Sequence, residues 1–335
     1  MNKYFLFLTI LIISFFMSGC AQKIRIKALE PAEIDRATTT KKIAVTEFKN
    51  DSVGLSGKIE SNLSRHKING KPFFTMISRT DINKVIKEQK LQNSGLVDTS
   101  AIVEVGNLMG AEAIISGDVG RASSKDSYFY ESRTRCADKK CKEFTYYRVR
   151  CTKRVVGLSA ELRMVDVTRG DIIYADNLSR TSTFKHCRDD STALPSREIA
   201  AQRLASSMAS SFTYKLTPHY RYFSVELLED EDLDYDDTQE TLLESSLEYI
   251  EQNRYDKAEK LLTRLIDSTD QQSYVALYNL GVVKEAQGDY KSAKEYYEMA
   301  DNLTIEPIEA INKAYIRINS IILKHNMTQE QLDRN

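Results

Sequence analysis

"VVGLSAELRMVDVTRGDIIYADNLSRTSTF", residues 155–184, decides the fold of the first half of the chain. Val156, Leu158, Ala160, Leu162 and Met164 alternate with Gly157, Ser159, Glu161, Arg163 and Val165. Successive side chains of a strand point to opposite faces, so one face is expected to be buried and the other largely wet. Gly170, just before Asp171, offers the left-handed position that a short hairpin loop needs. The strand is therefore expected to turn back on itself through a loop of Thr168, Arg169 and Gly170, with Val167 facing Asp171.

Upstream, "AEAIISGDVG" (111–120) is a nearly continuous apolar strand, as expected when both faces are covered. "KIAVTEF" (42–48) and "PFFTMIS" (72–78) read as two more strands. Ile59 and Leu63 lie one helical turn apart, and "RTDINKVIKEQ" (79–89) sets Ile82, Val85 and Ile86 on one helical face. "TSAIVEVGNLMG" (99–110) repeats that plan, with Thr99 or Ser100 as N-cap and Gly110 as the stop. Downstream, "SREIAAQRLASSMASSF" (196–212) closes the domain as a helix carrying Ile199, Leu204 and Met208. The alternation implies an α/β layer domain with a mixed sheet over residues 42–223.

Four segments in this order, "IAVTEFKNDS" (43–52), "FTMISRTDINKVIKEQKLQNSGLVD" (74–98), "NLMGAEAIISGDV" (107–119) and "AELRMVDVTRGDII" (160–173), resemble signature segments of the CsgG-type (curli production assembly/transport) lipoproteins. In the best-known member of that family two hairpins per subunit leave the core at about these places and join a transmembrane barrel. Lipid-facing strands need ~9 to 11 residues with alternate apolar side chains. Across 142–154 one parity reads Lys, Phe, Tyr, Arg, Arg, Thr, Arg and the other Glu, Thr, Tyr, Val, Cys, Lys. Each midplane Arg would cost ~2 to 4 kcal/mol, so the resemblance is expected to carry the core and not the pore.

The chain opens with an apolar run from Tyr4 to Phe16, too short for the ~20 residues of a spanning helix. Ser18, Gly19 and Cys20 follow and resemble the lipobox of bacterial lipoproteins, with Met17 where Leu is usual. The resemblance implies a signal peptide over 1–19 and a lipidated Cys20 bearing palmitate-type chains. Ala21 after the Cys, in place of Asp, implies the outer membrane, with the chain facing the periplasm. Residues 20–41 are expected to be a tether. The net charge of -1 gives no reason to expect a nucleic-acid partner.

An exported chain with four further cysteines, Cys136, Cys141, Cys151 and Cys187, is expected to hold disulfides. The hairpin register carried outward sets Cys151 opposite Cys187, on the face of Glu161 and Arg163. Cys136 is left to pair with Cys141. The competing reading is a zinc site from these cysteines with His186. The insert that holds them (121–155) also interleaves Tyr128, Tyr130, Phe144, Tyr146 and Tyr147 with Arg133, Arg135, Arg148 and Arg150. Two readings stay open: a solvated, stapled hairpin, or a patch for an anionic surface that uses Arg148 and Arg150.

Residues 226–237, "ELLEDEDLDYDD", hold eight acidic residues and read as a solvated linker over 224–238. Asp232, Asp234 and Asp236 mimic the start of a calcium loop, but the Gly and the closing Glu of such a loop are missing. Beyond it, "NRYDKAEKLLTRL" (253–265) and "GDYKSAKEYYEMA" (288–300) align Tyr255 with Tyr290 and Ala258 with Ala293. The spacing and the preceding "LYNLGVVKEAQGDY" (277–290) resemble tetratricopeptide (TPR) repeats. An all-α TPR-like domain is thus expected over 239–327, offering Tyr278, Gly281 and Lys284 to a protein partner. In the first copy Ser245 and Ser246 replace the usual Leu-Gly pair.

The histidines, at 66, 186, 219 and 325, stand in no ligand spacing, and no Gly-rich phosphate loop is present. No cofactor and no catalysis are expected. The reading is a non-enzymatic outer-membrane lipoprotein that acts as a scaffold or assembly factor and could form homo-oligomers. The alternatives are a subunit of a CsgG-type secretion channel and an activator of cell-wall synthases.

Overall fold

The computed structural model describes residues 22–78 and 99–334. Cys20, the signal sequence and the expected helix at 79–89 lie outside the described residues. The chain divides into two compact units, Pro31–His219 with Gln329–Asn335, and the residues up to Glu30 with Tyr220–Thr328.

The first unit is built on a six-stranded mixed sheet of β2 (Lys42–Val45), β5 (Thr75–Ile77), β6 (Ala113–Val119), β7 (Ser123–Cys136), β8 (Phe144–Asp166) and β9 (Ile172–Cys187). Two short strands, β3 (Lys67–Ile68) and β4 (Lys71–Pro72), pair with each other. β2 lies between β5 and β6 and is parallel to both; β6 is antiparallel to β8. β8 takes β6 along Ala160–Asp166 and β7 along Phe144–Gly157, while β9 pairs with it from Cys151 to Val165. Because the β9 stretch overlaps both others, β6 and β7 share one edge of β8 and β9 holds the opposite edge.

Burial follows from this placement. Ala113, Ile114 and Ile115 of the central strand β6 are fully buried in succession, as both-face coverage requires. Ile114 packs with Ala44, Val165 and Val167 against Val105 of α2 (Thr99–Met109). The helices α1 (Leu55–Arg65) and α3 (Arg197–Leu216) pack against each other and the sheet. α1 buries Leu55, Ile59 and Leu63, and α3 buries Leu204, Met208 and Phe212. Ser196 caps α3 by accepting from the Ile199 amide.

The hairpin between β8 and β9 departs from expectation in two ways that cancel. Asp166 and Asp171 close the loop through the Asp166 amide and the Asp171 carbonyl, 2.9 Å apart, so Val167 lies inside it and not opposite Asp171. The pairing then shifts between Met164 and Val165: Val165 faces Ile172, but Met164 faces Tyr174. Ile173 is the extra residue of a bulge. Beyond it Leu162 meets Asp176, and at the far end Cys151 meets Cys187.

The second unit contains strands β1 (Lys23–Glu30) and β10 (His219–Glu226) and helices α4 (Asp237–Glu251), α5 (Tyr255–Ser268), α6 (Tyr274–Gln287), α7 (Tyr290–Asn302) and α8 (Glu309–Asp333). The expected tether is thus corrected: β1 pairs with β10, and its Ile24 and Ile26 join Val225 and Leu227 in one core with the helices. "KIRIKALE" alternates basic and apolar residues, which is a strand pattern with one buried face. The expected tether also holds a 3-10 turn, Asp35–Thr39, which belongs to the first unit.

The acidic run is also more structured than a solvated linker. Glu226 ends β10, Leu227 is buried, and Asp236 forms a capping box with Gln239 at the start of α4. The Asp232 carboxylate accepts from the hydroxyls of Tyr235 and Ser273 and from the Val275 amide, which fastens the run to the start of α6. Like charges along the sequence are tolerated because two of them, Asp232 and Asp236, serve the unpaired amides of helix termini.

α6 and α7 form a tight helix pair. Gly288, at φ +85°, turns the chain between them. A Cβ at Gly281 would stand 2.6 Å from the ring of Tyr297, which is fully buried. Tyr297 cannot retreat, since its hydroxyl donates to Glu285 at 2.6 Å and Arg317 donates to both Glu285 oxygens at 2.8 Å. Burial first, and then the Glu285 charge, push the Tyr297 hydroxyl well above the usual phenol range. Gly281→Ala is therefore expected to destabilise the protein by about 1 to 3 kcal/mol, read as a lowered thermal midpoint; an unchanged midpoint would refute this packing.

Candidate docking surfaces

The hairpin of β7 and β8 carries the residues for which sequence left two readings open. Its strands pair from Ser123 with Gly157 out to Cys136 with Phe144. Disulfides join Cys136 to Cys141 and Cys151 to Cys187. The zinc alternative is corrected by distance. Cys151 pairs across the ladder with Phe129, and Cys136 lies seven residues further along β7, roughly 23 Å at strand rise. One ion could not hold all four sulfurs.

The two faces of this hairpin differ in kind. Phe129, Glu131 and Arg133 share one face with Tyr147, Val149 and Cys151. Cys151 and Cys187 are fully buried there with Val149, against Phe129 and Tyr147. This corrects the expectation that the cross-strand pair lies on a wet face. The turn after β9 folds back over it: the Cys187 amide donates to Asp190, and the Arg188 amide donates to the Arg150 carbonyl at 3.2 Å.

Charge on that face is neutralised internally. Arg133 donates to Asp189 at 2.7 Å and Asp190 at 2.8 Å, and Glu131 pairs with both Arg133 and Lys185. The Lys185 hydrogen bond, followed by that of Arg133, holds the Glu131 carboxyl below its ordinary value. The Tyr147 hydroxyl and the Arg133 charge do the same for Asp189. Arg133 is therefore a structural cation and not part of an open patch. Neither Asp189 nor Asp190 was marked by any motif in the sequence.

The other face presents Tyr128, Tyr130, Phe144, Tyr146, Arg148 and Arg150. The four aromatic side chains are 63%, 60%, 58% and 82% exposed in that order. The Arg150 guanidinium lies 4.5 Å from the Tyr128 ring centroid, and that of Arg148 lies 5.1 Å from Tyr130. Among the described residues neither arginine has a carboxylate within ion-pair distance. A guanidinium over a ring gains cation–π attraction and keeps N–H groups with which to donate. The result is a rigid, apolar and cationic surface on a sheet braced by two disulfides.

The expected TPR residues are placed differently. Tyr278 is buried and its hydroxyl donates to the Glu226 carbonyl at 2.7 Å. Burial pushes that hydroxyl up to about 12. Gly281 faces Tyr297, and Lys284 donates to Glu259 at 2.7 Å. All three serve the packing of the helices and are corrected as partner contacts. The sequence motif located them on one helix but could not say which of its faces the neighbouring helices and β10 would cover.

No helix is long and apolar enough to cross a membrane, among the described residues. His66, His186 and His219 each contact a backbone carbonyl, of Pro218, Thr192 and Thr217 respectively.

Residues 26–188 match the family described as curli production assembly/transport component CsgG, and residues 274–303 match the tetratricopeptide repeat. The chain thus carries a CsgG-type domain followed by a TPR. Among solved structures, lipoprotein GNA1162 from Neisseria meningitidis aligns at 13% identity over 51% of this chain and 94% of its own, with a TM-score of 0.26. A PelC dodecamer from Paraburkholderia phytofirmans aligns at 15% identity over 59% of this chain and 100% of its own, with a TM-score of 0.24. The hypothetical protein CT253 from Chlamydia trachomatis aligns at 13% identity over 52% and 97%, with a TM-score of 0.26. No curated protein sequence matches the chain.

The two disulfides close loops of different size, with sequence separations of 36 and 5. Replacing Cys151 and Cys187 together by Ser is expected to cost ~3 to 4 kcal/mol, and replacing Cys136 and Cys141 ~2 kcal/mol, by the chain-entropy relation. Chemical denaturation of the full chain measures both. A larger loss from the Cys136–Cys141 pair would reverse the expected order.

Proposed function

We propose that this chain, with its CsgG-type domain and TPR, is a non-enzymatic lipoprotein scaffold that docks a protein partner at the outer membrane, facing the periplasm. In this reading acylated Cys20 fixes the location, and the β7–β8 hairpin supplies the docking face. The observation that carries it is the exposed row of Tyr128, Tyr130, Phe144 and Tyr146 stacked with Arg148 and Arg150. Tyr and Arg are the residues most enriched where protein interfaces concentrate their binding energy. A solvated hairpin needs no such row, and an exposed aromatic row on a sheet supports reading this face as an interaction site. The partner is expected to offer a flat surface with acidic groups spaced to meet the two guanidinium forks.

The test uses the full chain extracted from membranes in detergent. Wild type should co-purify with a defined partner at low salt and lose it as salt is raised, because the charged part of the contact is screened. The variant Arg148→Glu, Arg150→Glu should fold normally and fail to retain it. Retention by the variant, or by wild type independently of salt, would rule out this face.

A further inference from the structure

Helix α8, the last of the chain, has two unlike sides. Ile311, Ala314 and Ile318 are buried in one core with the preceding helices, and Ile321 is buried on the same side. The opposite side exposes Ile316 at 73%, Leu323 at 63% and Met327 at 45%. A helix that closes a stack of repeats ordinarily turns a polar face outward, because nothing further covers it. Here the outer face carries Ile316, Leu323 and Met327.

With Ser320 these residues are spaced four, three and four, which sets them along one seam of the helix. Two helices that pack side by side meet along seams of this spacing. The ends of the seam carry opposite charges, Lys313 on one side and Glu330 on the other, both exposed. Within the chain Lys313 meets Glu309, one turn away on the same helix, and both side chains remain largely exposed.

We propose that this face pairs α8 with α8 of a second copy of the chain, antiparallel about a two-fold axis between Ile321 and Ile322. This register sets Ile316 against Met327 of the second copy, Ser320 against its Leu323, and Lys313 against its Glu330. Two-fold symmetry repeats each contact, so the seam closes with four ion-pairing groups at its ends and six apolar side chains between them. A parallel pair would bring Lys313 against Lys313 and Glu330 against Glu330, and charge complementarity therefore selects the antiparallel one. The pairing is independent of the hairpin face: it would dimerise the scaffold and leave the surface of Tyr128 to Arg150 as it is.

Cysteine crosslinking of the full chain in intact cells tests both the pairing and its direction. In the antiparallel register positions 316 of the two copies lie eleven residues apart along the axis, about 16 Å, beyond the reach of a disulfide. Ile316→Cys alone and Met327→Cys alone should therefore give no crosslinked dimer, while the two substitutions together should give one. A dimer from either single variant would overturn the register. A crosslink to a different protein would overturn the second copy as occupant. Absence of any crosslink in the double variant would overturn the pairing, provided its thermal midpoint matches wild type. Sedimentation of the purified full chain gives the second readout. Lys313→Glu should shift dimer toward monomer, and adding Glu330→Lys should restore the dimer. A wild type that stays monomeric at all concentrations, or a single charge reversal without effect, would contradict the proposal.

Discussion

The pairing of β8 along both of its edges is the constraint from which the first unit is organised. A strand of 23 residues cannot keep one environment along its length. Its inner third lies between β6 and β9, Cys151–Gly157 lies between β7 and β9, and Phe144–Arg150 is paired with β7 alone. The ladder on the β9 side must hold its register from the closing loop to Cys151, because a slip of one residue would exchange every side chain between faces. One residue added inside the loop and one absorbed in the bulge at Ile173 leave the far end in the register that pairs Cys151 with Cys187.

This length also explains why the hairpin has a cationic, aromatic face. In the inner part the even positions are buried: Val156, Leu158, Ala160, Leu162 and Met164. Further out burial passes to the odd positions Val149 and Cys151, which the turn at Asp189 and Asp190 covers. The even parity therefore continues past the body as Arg150, Arg148, Tyr146 and Phe144 without cover. Burial of the disulfide on one face and exposure of the aromatic row on the other are two results of one handover along a single strand. Arg133 and Arg148 look alike in sequence, yet one stands on the neutralised face and the other on the open one.

Much of this was legible in the residues. Alternation at Val156 to Met164, the continuous apolar run at Ala113 to Ile115 and the repeat at Tyr255 and Tyr290 each report a local period that the fold preserves. The hairpin register was recoverable only because two departures cancel, and nothing near Thr168 or Ile173 announces either. Other features depend on partners distant in sequence. β1 reads as a tether although it alternates, since its mate β10 lies some two hundred residues on. Tyr278 and Lys284 sit where a repeat commonly meets its ligand, but Glu226 and Glu259 claim them first. Asp232 reads as one charge among eight until the start of α6 is seen to need an acceptor. Local pattern carries the elements; which face each one covers is decided by chain that pattern does not connect.

The central claim is that the even-numbered face of the β7–β8 hairpin meets a protein partner while the odd-numbered face belongs to the fold. Site-specific photocrosslinking in cells separates the two directly, with the reactive group placed at Tyr146 and, in a second variant, at Glu143 on the tip of the same hairpin. The account predicts one discrete adduct from position 146 and none from 143. Adducts of equal yield from both positions, or none from 146 in a folded and correctly located chain, would contradict it.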